Sequence, residues 1–156
     1  MGKSKFSIAH EDEAMLALVH ATDQKTLAVW AIHCAERVLP YFAEHFPDDQ
    51  RPRHAIEALK RWLQTGVFQM AAIRKASLDS HAAARDVGAD TAARSAARAA
   101  GQAVATAHVP RHAYGAAVYA QQAIYRAANS SEADAAAARE QDWQYTHLLQ
   151  LRESNP

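Results

Sequence analysis

The sequence predicts an all-α fold, a compact single-domain bundle of about seven helices with short loops. Three observations predict it. Apolar residues recur at helical spacing along most of the chain. β-branched residues never alternate over a useful length. Alanine, the best helix former, dominates the second half. The 156 residues suit one domain with a real hydrophobic core, and no second boundary is visible.

The first helix is expected over about Glu11–Ala21, with Met15, Leu16, Leu18 and Val19 apolar. Asp23 reads as the N-cap of the second, where Leu27, Ala31, Cys34, Val38 and Tyr41 form a core stripe. Pro40 should kink or end that helix, because it removes a backbone donor. Asp48 or Asp49 caps the third helix, and Pro52 suits its first turn. Ile56, Leu59, Trp62 and Leu63 supply its buried stripe, and Gly66 its stop. The fourth helix runs from about Phe68 to Val87, with Gly88 as its stop. Asp90 caps an alanine-rich fifth helix whose small faces let neighbours approach closely. Pro110 opens the sixth, which ends near Asn129. Ser130 or Ser131 caps the seventh, where Trp143, Leu148 and Leu151 seal the bundle's end. Residues 1–8 and 152–156 should fray.

Lys plus Arg and Asp plus Glu both number 17, so the formal net charge is zero. That argues against nucleic-acid binding, which leaves a basic footprint. Cys34 is the one cysteine, so packing and not an intrachain disulfide must hold the fold. No apolar run is long enough for a membrane helix, and the start reads as no secretory signal. A cytoplasmic protein with no membrane partner is expected.

Nine histidines make the chemistry worth searching. His108 and His112 are four residues apart, which on one continuous helix is good metal-ligand spacing. Pro110 opposes that continuity. It leaves His108 outside the helix and His112 in the first turn, where the helix dipole favours a neutral imidazole. The alternative is a loop histidine beside an ordinary first-turn histidine. Arg74, Ser77 or Leu78, His81 and Arg85 form a polar stripe on the fourth helix. If that stripe faces the fifth and sixth helices, His81, His108 and His112 become candidates for zinc or another transition metal. If it faces solvent it needs no function.

Cys34 lies on an apolar face and reads as packing, or as a thiol in a ligand site. Glu36, Arg37, Arg51 and Arg53 are expected around one corner, as an ion-pair network or a carboxylate-binding surface. Tyr119 falls on the face of His112 with Gly115 between, which suits a pocket wall or a close helix crossing.

The blocks "CAERVLP", "RPR" followed by "AIEA", and "AHVPRHAYGAAVYA", in this order, resemble the bacterial immunity proteins called immunity-protein-five-like. The similarity covers about residues 27–125. It implies a small all-helical cytoplasmic protein of a polymorphic toxin system that binds and neutralises a cognate toxin. It brings no catalytic residues. The shared positions include Cys34, Glu36, Arg37, Arg51, Arg53, His81, Arg85, His108 and His112.

The leading expectation is therefore an immunity-type binding protein with no cofactor. The absence of a recognisable catalytic motif favours binding over catalysis. The rival is a small enzyme or metal- or ligand-binding protein. It would use an inter-helix site drawn from Cys34, Arg37, Arg53, His81, Arg85 and Tyr119, with metal on His81, His108 and His112. A third reading is a homo-oligomer packed through the alanine-rich fifth helix.

Overall fold

A computed structural model describes Phe6 and residues 12–154. Among the described residues there are seven helices and no strand: α1 (Glu13–His20), α2 (Gln24–Ala43), α3 (Arg51–Thr65), α4 (Met70–Asp86), α5 (Ala92–Ala105), α6 (His112–Ala127) and α7 (Ala133–Ser154). The chain is an all-α single domain, as the periodicity predicts.

The helix ends follow local chemistry. Asp12 accepts a hydrogen bond from Met15 N–H at 3.2 Å, and Asp23 from Thr26 N–H at 3.0 Å. The Thr26 bonds hold the Asp23 carboxyl below its usual pKa. Asp49 takes Arg51 N–H at 3.1 Å at the start of α3. Gly66 and Gly88 end α3 and α4 with φ of 68° and 80°, a region that disfavours a Cβ.

Several boundaries differ from the sequence expectation. α2 does not end at Pro40 but runs on to Ala43. Only the bond to the Glu36 carbonyl is lost, and Glu36 and Pro40 are both exposed, so water can take that carbonyl. α4 begins at Met70, leaving Phe68 in the loop. Pro110 sits in the turn before α6, which opens at His112. Glu11 and residues 1–5, 7, 8, 155 and 156, most of those expected to fray, lie outside the described residues. Phe6 packs on Tyr125 with ring centroids 5.3 Å apart. Residues 152–154 continue α7, and Arg152 donates to Ala21 O and to Thr22 Oγ1.

α5 is the central helix, packed against α2, α3, α4 and α6. Its buried residues are Ala93, Ser95, Ala96, Ala97, Ala99, Ala100, Gly101, Ala103 and Val104. These small side chains let four neighbours come close, while the bulk comes from elsewhere: Trp30, Phe42, Met15, Leu27, Leu59 and Leu148. One buried polar knot joins α2, α6 and α7. Trp30 Nε1 donates to Gln144 O at 2.9 Å. Gln144 Oε1 accepts from Gln121 Nε2 at 2.8 Å, and Gln144 Nε2 donates to Ala117 O at 3.0 Å. Gln24 Nε2 donates to Thr106 O and Ala107 O, satisfying carbonyls left over at the end of α5.

Candidate functional site

The α4–α5–α6 seam holds the expected histidines, but in separate contacts. Arg98 Nη1 lies 3.0 Å from His81 Nδ1. A guanidinium only donates, so Nδ1 accepts and the ring proton sits on Nε2 of a neutral imidazole. Burial first, and then the charges of Arg98, Arg85 and His112, lower the His81 pKa to about 4. His112 Nδ1 lies 2.8 Å from Gln102 Oε1, so there the imidazole donates. The His112 pKa is lowered as expected, though the causes are burial and then His108 rather than the helix dipole. His108 turns away and stacks on Phe68, with ring centroids 6.2 Å apart. Among the described residues no group of three or more His, Cys, Asp and Glu side chains is placed to hold a metal ion.

His81 lies directly over a glycine. A Cβ built at Gly101 would stand 2.7 Å from His81 Nε2, closer than side chains tolerate. Gln102 crosses Gly115 in the same way, at 2.8 Å. The Gly115 face is thus a close crossing filled by a polar side chain, not a pocket wall. Tyr119 is half-buried one step further along α6, packed on the core.

This contact gives a coupled prediction. Gly101→Ala alone is expected to destabilise by about 1–2 kcal/mol, because the ring must leave its bond to Arg98. In a His81→Ala background the same change should stabilise by about 1 kcal/mol, since helix propensity then acts unopposed. His81→Ala should also change the pH profile. The unfolded chain protonates this histidine near pH 6.5 and the folded chain only near 4, so the wild type loses stability as pH falls through that window. The variant lacks that loss. Denaturant titrations of the four chains at pH 7.5 and 4.5 check both parts, and a Gly101→Ala effect independent of His81 contradicts the geometry.

Cys34 is fully buried, and burial pushes its thiol pKa up. That environment opposes a thiolate and fits packing. The expected Glu36, Arg37, Arg51 and Arg53 corner is divided. Arg51 pairs with Asp49 and Asp86, and Lys60 pairs with Glu36 across α3 and α2. Arg53 lines a shallow groove with Glu36, Leu39, Pro40, Ala43 and Glu44. Arg85 is exposed. Arg37 points elsewhere, because successive helical residues diverge by roughly 100°.

Arg37 faces α7, in a cluster that the sequence reading missed. Its Nη2 and Nε contact Glu140 Oε1 at 2.7 Å and Oε2 at 2.9 Å. Its guanidinium lies 3.7 Å over the Trp143 ring. Trp143 stacks on His147, whose Nε2 lies 2.8 Å from His33 Nδ1. The signal was present: Glu140, Trp143 and His147 recur at three and four residues, as His33 and Arg37 do on α2.

A second feature is also new. Val67, Phe68, Met70, Leu78 and Val109 are large apolar side chains between 38% and 61% exposed. Of the large hydrophobics with such exposure, only Leu149 lies elsewhere among the described residues. A cleft of about 300 Å³ lies between α4 and the end of α5, lined by Met70, Ile73, Arg74, Leu78 and His108 among others. Ile73 also lines a neighbouring cleft of about 220 Å³ with Trp62 and Val67. With Phe68 stacked on His108, beside Val109 in the chain, the five form one patch where the α3–α4 loop, α4 and the α5–α6 turn meet.

A family model described as "Imm-5 like putative immunity protein" matches residues 17–151, a longer stretch than the blocks read from the sequence. No curated protein and no solved structure matches the chain. No described helix is long and apolar enough to cross a membrane.

Proposed function

The chain belongs to the Imm-5 like immunity protein family, and from that premise we propose that it neutralises a bacterial toxin by direct contact through the exposed apolar patch. Family membership supports an immunity role and a protein partner in general. The observation that carries the finer reading is the concentration of Val67, Phe68, Met70, Leu78 and Val109 at one corner. Isolated exposed apolar side chains are ordinary, but a contiguous patch marks a surface that another molecule covers. Leu78 and Met70 stand on α4, so they are presented by a rigid element. Phe68 and Val109 stand on the adjoining turns. An apolar centre of this kind, ringed by Arg74, Arg61 and His108, has the anatomy of a protein–protein interface.

The test is rescue of growth. Toxin domains encoded beside this gene are expressed in a sensitive host, with and without the full chain. Rescue and a co-purifying complex are expected for one of them. A Phe68→Glu, Leu78→Asp variant should keep its melting temperature, because both side chains are exposed. It should lose about 2–3 kcal/mol of binding, on the order of 100-fold in Kd. No rescue by any neighbouring toxin would sink the immunity reading. Full protection by the double variant would move the contact to another surface.

A further inference from the structure

We infer that the segment seated on this patch carries carboxylates beside its apolar side chains, so that the toxin meets the chain with an acidic surface. This rests on the immunity reading above. It adds the chemistry of the partner.

The net charge of zero conceals a strong separation. Residues 91–131 hold Arg94, Arg98, Arg111 and Arg126, with His108 and His112, and no Asp or Glu at all. That stretch is formally +4, so the remaining residues carry −4. It comprises α5, α6 and the turn between them, which borders the patch.

α4 continues the cationic face. Arg74, Leu78, His81 and Arg85 recur at helical spacing, so the face that starts in the patch at Met70 leads past Arg74 towards Arg85. Asp90, just outside residues 91–131, pairs with two of that stretch's arginines, Arg94 and, at 3.9 Å, Arg126, while Asp79 pairs with Lys75 and Asp86 with Arg51. Among the described residues none of Arg74, Arg85, Arg98 and Arg111 takes part in an ion pair. Arg98 instead donates to a neutral imidazole. Arg98 and Arg85 both oppose protonation of His81.

Such a face repels cations and favours anions, at long range as well as in contact. Guanidinium groups bind carboxylates through two parallel hydrogen bonds. The apolar centre points away from nucleic acid, whose protein interfaces are polar and wet. An acidic partner also binds faster by electrostatic steering, which suits an inhibitor that must reach its toxin before damage is done.

The experiment uses the full chain and three fluorescent probes of similar length. One is an amphipathic peptide with leucine on one helical face and glutamate on the other. The second has glutamine at each glutamate. The third is single-stranded DNA. Anisotropy is read at roughly 50 and 300 mM salt, on either side of the range where exposed charges become screened. The acidic peptide should bind about tenfold tighter than its glutamine counterpart at low salt and lose most of that advantage at high salt. Arg74→Glu with Arg85→Glu should remove the advantage, while Arg139→Glu on α7 should not.

Equal binding of the two peptides, no binding of either, preference for DNA, or an equal loss with Arg139→Glu would each overturn the inference. So would a dimer in sedimentation that Arg74→Glu with Arg85→Glu dissolves, since the face would then belong to a second copy. The two readings fail separately. Acidic-peptide binding without toxin rescue removes the immunity reading alone. Rescue that survives the double charge reversal removes this inference alone.

Discussion

Trp30→Ala is expected to destabilise the protein by about 3–5 kcal/mol, the largest effect among the substitutions considered. Trp30 heads the largest fully buried side chains, and α2 carries it into contact with α7. Its removal opens a cavity in the core. The indole also donates to the Gln144 carbonyl, within the knot that Gln144 makes with Gln121 and Ala117. Trp30→Phe separates the two contributions. It keeps much of the volume and drops the donor, so it should cost about 1–2 kcal/mol. Urea titrations of the three chains give the comparison. Equal costs for Phe and Ala would mean that the hydrogen bond, and not packing, makes this position important.

The parts of the fold legible in the sequence are those set by local chemistry. Asp23 caps, Gly66 and Gly88 stop their helices, and the alanines of α5 pack against four partners, all for reasons visible within a few residues. Pro40 should kink or end α2, and of these two outcomes the end is excluded, because the helix runs on to Ala43. A proline forbids one bond, and on an exposed helix face water replaces it. Helix neighbours were not legible, because periodicity says which face is buried and not what covers it. Sequence spacing therefore groups Arg37 with Arg51 and Arg53, whereas its partner Glu140 lies on α7. His108 and His112 show the same limit. Pro110 correctly predicted their separation, but Phe68 and Gln102, which take the two rings, lie on other elements. The cationic sector was in the sequence throughout, hidden by summing charge over the whole chain.

The pair found across α2 and α7 carries the second large prediction. Arg37→Ala should destabilise by about 3 kcal/mol, near the low end for breaking a buried ion pair. The asymmetry of exposure decides this. Glu140 is 4% exposed and Arg37 42%, so the carboxylate depends on the guanidinium far more than the reverse. All the side-chain hydrogen bonds that Glu140 accepts among the described residues come from Arg37. Without them a charge is left in the α2–α7 seam, against the Cys34 thiol whose own ionisation it already opposes. Glu140→Ala leaves the opposite situation. Arg37 keeps its contact with the Trp143 ring and its access to water, so that change should cost only about 1 kcal/mol. The double variant Arg37→Leu, Glu140→Leu should come close to the wild type, because neither charge is then desolvated. A denaturation cycle over these chains reads the pattern directly. Near-equal costs for Arg37→Ala and Glu140→Ala would contradict it, since they would mean that both ends of the pair are equally wet.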